Sequence, residues 1–205
     1  MSLVFVGSSH VLHLEKAIHR LYIEGGKKNE AVCIPKETEF CGVSGMTLTD
    51  FNEGVSKQIY DMKKNLESCR RKTAILLAGG NDLDSGDVLW SSVLESLKRT
   101  VDWLTSNCDS VLVVRLLYRI YPRPGNRSWH LKYPGRGEYN ELSDKVNDGL
   151  ITCNWPKNVY VCRHVKMTDL DLSDGVHLTD CAYRKLLTSI DRGMKALRRK
   201  QVANT

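Results

Sequence analysis

Ser2-Leu3-Val4-Phe5-Val6-Gly7-Ser8-Ser9-His10 follows Met1, and its reading decides the fold. A compact apolar run rich in β-branched residues, without alternation, suits a strand buried on both faces. It stops at a glycine and passes directly into small polar residues. Four more runs of this kind occur: Ala31-Val32-Cys33-Ile34 before Pro35, Ala74-Ile75-Leu76-Leu77-Ala78 before Gly79-Gly80, Val111-Leu112-Val113-Val114, and Val159-Tyr160-Val161-Cys162. Helical patterns lie between and after them. Val88, Leu89, Val93, Leu94, Leu97, Val101 and Leu104 recur at helical spacing, as do Ala182, Leu186, Leu187, Ile190, Met194 and Leu197. The polar stretch from Asp61 to Lys72 closes another helix. Five strands alternating with helices predict an α/β chain: a parallel sheet with helices on both faces, its ligand crevice beyond the C-terminal ends of the strands.

The stretches that follow these runs carry reactive groups. After the first run comes Gly7-Ser8-Ser9-His10, after the third Gly79-Gly80-Asn81-Asp82, and after the fifth Ser173-Asp174-Gly175-Val176-His177. Gly42-Val43-Ser44-Gly45-Met46-Thr47 lies between the first and third. Acyl transfer needs a nucleophile, a base to take its proton, a carboxylate to orient the base, and donors aimed at the developing oxyanion. Ser9 at a strand-to-helix turn can be the nucleophile and can also offer its backbone N–H. His177 can be the base and Asp174 its orienting carboxylate. Gly45 can present a backbone N–H without a side chain in the way, and Asn81 a side-chain amide. Taken singly, each motif is also an ordinary turn, and Asp-x-x-His is also an N-cap with its helix start. Their order and placement together favour the chemical reading.

In that order the four blocks resemble those of the SGNH (GDSL-like) hydrolase family, and the resemblance spans the chain from residue 5 to the final helix. It implies a flavodoxin-like three-layer α/β/α sandwich around a five-stranded parallel sheet. It implies Ser9, Asp174 and His177 as catalytic residues, and Ser9, Gly45 and Asn81 as the oxyanion hole. It also implies a small acyl ester as substrate, and no cofactor. Where the family usually has Asp before the nucleophile, this chain has Ser8, so Ser8 competes with Ser9 for the role; Ser9 is preferred as the third residue of its block. Gly42 likewise competes with Gly45, which is preferred because Met46-Thr47 follows it. A narrower similarity, running from Arg115 through Tyr139-Asn140 to Asp174-Gly175-Val176-His177-Leu178, is to esterase domains in the first open reading frame of LINE retrotransposons.

The 205 residues fit one domain over 1–205, whose last Lys/Arg-rich residues fray. At 41% hydrophobic and 26% charged, the composition is that of an ordinary globular chain. The sequence reads as a complete small protein or as a domain of a larger one, without a signal peptide. Its seven scattered cysteines read as reduced thiols of a cytoplasmic or nuclear protein. The histidines His13, His19, His130 and His164 form no metal-ligand spacing, so no metal is expected, and His10 reads as a partly buried residue of the first helix. The net charge of +6 suits weak attraction to polyanions. Arg115, Arg119, Arg123 and Arg127, in a basic 115–136 segment that runs into a predicted Tyr121–Gly137 loop and is interleaved with aromatics, offer an anion-binding surface. They support a second reading, a binding module for nucleic acid or an anionic membrane.

Overall fold

The computed structural model describes residues 2–24, 34–35, 37–67, 72–84, 88–119, 136–163, 165 and 167–202. Five strands build one fully parallel sheet in the order β2-β1-β3-β4-β5. They are β1 Ser2–Gly7, β2 Glu39–Gly42, β3 Lys72–Leu77, β4 Ser110–Val113 and β5 Val159–Val161. The helices are α1 Ser9–Ile18, α2 Leu48–Glu53, α3 Lys57–Glu67, α4 Gly80–Asp84, α5 Trp90–Asn107, α6 Arg136–Thr152 and α7 Asp180–Val202. A π-helical stretch, His19–Glu24, extends α1.

The unalternating strand sequences are explained by helices on both faces of the sheet. Val4 and Val6 of β1, Ala74 and Leu76 of β3, and Val111 and Val113 of β4 face one core, shared with α2, α3, α5 and α6. Their neighbours Leu3, Phe5, Ile75, Leu77 and Leu112 face a second core, built with α1 and α7. Side chains on a strand alternate between faces, so a strand buried on both faces must be apolar at every position. Each fully buried Val, Leu, Ile or Phe contributes about 1.5–3 kcal/mol, which makes the central strands the most firmly determined part of the chain.

The second strand corrects the sequence reading. Ala31–Cys33 lie outside the described residues, and Ile34 is not in the sheet; the strand beside β1 is Glu39–Gly42. It is an edge strand and needs fewer apolar positions. Phe40 supplies the main anchor, aligned in register with Phe5 and stacked on it at 5.2 Å between ring centroids. The helix expected over Asp61–Lys72 is displaced: α3 spans Lys57–Glu67, and Lys72 already belongs to β3. Val88 and Leu89 precede α5, with Leu89 exposed. Of the expected Tyr121–Gly137 loop, residues 121–135 lie outside the described residues, and Arg136 and Gly137 begin α6. Among the described residues no helix is long and apolar enough to cross a membrane. Cys41, Cys108, Cys153, Cys162 and Cys181 are free thiols; Cys33 and Cys69 lie outside the described residues.

Candidate active site

The ends of β1 and β3 meet closely. Ser8 N–H donates to the Leu77 carbonyl at 3.3 Å, and a Cβ on Gly7 would sit 2.0 Å from that same oxygen. Only glycine fits there. The tight junction turns the chain so that Ser8 takes the extended N-cap position of α1, without a side-chain capping bond, and Ser9 is the first helical residue. Ser8 is buried, whereas Ser9 Oγ lies 3.0 Å from His177 Nε2. Of the two serines, it is Ser9 that meets the imidazole. The Ser9 backbone N–H is among the first four of its helix, which have no intrahelical partner.

His177 is held from the opposite side of the ring. Its Nδ1–H donates to Asp174 Oδ2 at 2.7 Å. Asp174 Oδ1 accepts the backbone N–H groups of Val176 at 2.9 Å and His177 at 2.7 Å. Burial alone would raise the Asp174 carboxyl. The hydrogen bonds from the His177 ring and from the two backbone N–H groups outweigh it and hold the carboxyl below the ordinary range. A carboxylate so placed requires the proton on Nδ1, which leaves Nε2 as an acceptor for the Ser9 hydroxyl.

Two further histidines of α1 flank this ring. His13, four residues after Ser9, stacks on His177 at 4.1 Å with an interplanar angle of 18°. Burial, then electrostatic coupling to the His177 ring and to Lys16, lower its pKa. His10 is fully packed rather than partly buried as expected, and its Nε2–H donates to the Val176 carbonyl at 3.1 Å. Burial, then the Arg119 charge and electrostatic coupling to the His177 ring, lower its pKa to about 3, so it is a neutral donor.

Asn81 stands at the start of α4, beyond β3. Its Nδ2 donates to the Met46 carbonyl at 3.1 Å, and its Oδ1 accepts from Arg119 Nη2 at 2.9 Å. Met46 joins the Gly45 turn to α2, which Thr47 and Asp50 start with a reciprocal capping box at 3.0 Å in each direction. Gly42 ends β2, while Gly45 lies in the turn beyond it with φ of +73°. The neighbouring Asp82 accepts the Leu48 N–H at 2.9 and 3.0 Å, tying α2 to α4. Burial raises the Asp82 carboxyl to about 6, against the hydrogen bonds it accepts.

The expected anion-binding arginines divide. Arg123 and Arg127 lie outside the described residues. Arg115 is partly buried, and Arg119, expected on an anion-binding surface, is buried. The Arg119 guanidinium is ion-paired with Asp84, bonded to Asn81 and placed over the Tyr139 ring at 5.1 Å. A cation enclosed in this way is not available to an external polyanion. Sequence reasoning does not find His13, Asp84 and Arg119 as neighbours of the site. Only His13 leaves a sequence signal, its i, i+4 spacing from Ser9 on one helix face.

No protein-family model and no curated protein sequence matches the chain. Solved structures do. A GDSL-like lipase from Bacteroides thetaiotaomicron superposes with a TM-score of 0.59 at 15% identity, over 97% of this chain and 88% of that one. A member of the lipolytic GDSL family from Veillonella parvula gives 0.61 at 14% identity, over 93% and 97%. An acetyl esterase mutant with an acetate ion gives 0.54 at 14% identity, over 99% of both chains. The chain thus has the SGNH-hydrolase fold, a five-stranded parallel sheet flanked by helices, and acetyl esterases are among the proteins that share it.

Proposed function

We propose that this protein is a serine esterase that hydrolyses short-chain acyl esters, acetyl esters above all, through a covalent acyl-enzyme. The observation that carries the reading is the unbroken chain Ser9–His177–Asp174, with contacts of 3.0 and 2.7 Å. Ser9 Oγ attacks the ester carbonyl while His177 Nε2 takes its proton, and Asp174 stabilises the imidazolium without being protonated itself. The carbonyl oxygen becomes an oxyanion, for which Ser9 N–H, Gly45 N–H and the Asn81 amide are the donors. The ester C–O bond then breaks, and His177 returns the proton to the leaving alcohol. Water, deprotonated by His177, attacks the acyl-enzyme and releases the acid and free Ser9. The acetyl preference is supported by the acetyl esterase among the structural neighbours.

The test is turnover of p-nitrophenyl esters from acetate to octanoate, wild type beside Ser9→Ala. Rates should fall with chain length, and Ser9→Ala should lose about 10³-fold or more in kcat while keeping its fold. Turnover retained in Ser9→Ala, or absent from a folded wild type, rejects the reading.

A further inference from the structure

Asn81 carries an ambiguity that matters to the chemistry. A carboxamide presents an oxygen on one side and a nitrogen with two hydrogens on the other, and only the nitrogen stabilises an oxyanion. Turned over, the same side chain would aim a lone pair at the developing negative charge. The surroundings decide which way it stands. Arg119 has donors only, and its Nη2 lies 2.9 Å from Oδ1; the Met46 carbonyl accepts only, and it lies 3.1 Å from Nδ2. Both partners select one orientation, and the Met46 carbonyl takes one of the two Nδ2 hydrogens, leaving the second for a ligand.

Arg119 is itself held with unusual care for a residue on the strand-free stretch after β4. Its guanidinium is buried and paired with Asp84, and its Cζ lies over the Tyr139 ring. Its backbone is clamped by Asn140, whose Oδ1 accepts the Arg119 N–H at 3.0 Å and whose Nδ2 donates to the Arg119 carbonyl at 3.1 Å. Gly80 has no Cβ, and one there would lie 2.9 Å from both Arg119 Nη2 and the Tyr139 hydroxyl. Four separate features therefore converge on one placement of a cation against Oδ1 of Asn81. A charged donor on the amide oxygen also polarises the amide and strengthens its N–H as a donor.

We infer that Arg119 is a positioning residue for the oxyanion hole: it orients and polarises the Asn81 amide without itself touching the substrate. The inference rests on the esterase reading above. It separates Arg119 from an ordinary buried ion pair, since a purely structural arginine would act on stability and not through Asn81.

A double-mutant cycle on p-nitrophenyl acetate turnover tests it, with wild type, Arg119→Met, Asn81→Ala and the double variant, each checked for folding by circular dichroism. Asn81→Ala should lower kcat by about 10²–10³-fold, and Arg119→Met by about 10–100-fold with little change in KM. Groups that act as a unit are not additive, so the double variant should be no slower than Asn81→Ala alone. Losses that multiply in the double variant, or an Arg119→Met kcat equal to wild type, overturn the inference. If Arg119→Met does not fold because it leaves Asp84 unpaired, Arg119→Met combined with Asp84→Leu removes both buried charges and carries the same cycle with the same overturning outcomes. Failure of the esterase reading is seen separately, as a wild type without Ser9-dependent turnover, before any Arg119 variant is compared.

Discussion

Asp174 uses its two oxygens for two different tasks. Oδ1 is occupied by the backbone N–H groups of Val176 and His177, and Oδ2 faces the His177 ring. Asparagine at this position has a single oxygen. The two backbone donors would claim it, turning the amide nitrogen toward Nδ1 and forcing Nδ1 to accept. The proton then moves to Nε2, and His177 can no longer take one from Ser9. Asp174→Asn should therefore lower kcat by about 10⁴-fold with a melting temperature near wild type, checked by ester turnover beside thermal unfolding. A mild loss would mean that the carboxylate does not set the tautomer. Ser9 and Asn81 were legible in the sequence as candidates because each lies just past a predicted strand at a helix start, and Asp174 and His177 because of their Asp-x-x-His spacing. Arg119 was not legible, because nothing in a chain of arginines tells a solvated one from a buried one; that depends on Asp84, Asn81 and Tyr139, which are distant in sequence.

At the scale of elements, the site is a set of turns pressed together. The β1 turn is fixed by the approach of Gly7 to Leu77, and the β3 turn by the approach of Gly80 to Arg119 and Tyr139. The Gly45 turn is fixed through α2, whose Leu48 N–H is accepted by Asp82 of α4. Gly79-Gly80-Asn81-Asp82 is thus more than a bend, since it places the amide, leaves room for the arginine that orients it and anchors the neighbouring helix. Gly80→Ala should reduce stability by about 1–3 kcal/mol through overpacking, measured by denaturant unfolding. It should also lower kcat in the same sense as Arg119→Met, because the new methyl displaces the guanidinium from Oδ1. Stability loss with unchanged kcat would show that Arg119 can move without disturbing Asn81. The same scale explains the misplaced second strand. An edge strand with one aromatic anchor, Phe40, carries a weaker apolar signature than the run at Ala31–Ile34. The central strands, apolar on both faces, cannot be mistaken in this way.

Across the whole molecule, the two ends of the chain are joined at the site. His10 of α1 donates to Val176, and the Tyr183 hydroxyl of α7 donates to the His10 carbonyl at 3.4 Å. The parallel sheet and the crevice at the strand C-termini could be read from the alternation of apolar runs and helices, but this closure between residues more than 160 apart left no local mark. It has a consequence for acid stability. His10 has a folded pKa of about 3 against an ordinary 6.5. Below pH 6.5 the unfolded chain binds a proton that the folded chain refuses, so stability falls as pH drops from 6.5 toward 3. His13 acts in the same direction. Asp82 acts in the opposite one, because its folded pKa of about 6 lies above the unfolded value of 3.8, so stability rises as pH falls through that interval. Acid titration of the wild type alone therefore mixes opposing contributions, and the difference from a His10 variant isolates one of them. His10→Asn keeps a neutral donor for Val176 and removes the titration. Whatever its stability at pH 7, it should gain on the wild type by on the order of 3 kcal/mol between pH 7 and pH 4, at about 1.4 kcal/mol per unit, measured by urea unfolding at both pH values. Parallel curves for the two proteins would mean that His10 accepts its proton in the folded state, and that the closure it makes with Val176 does not depend on a neutral ring.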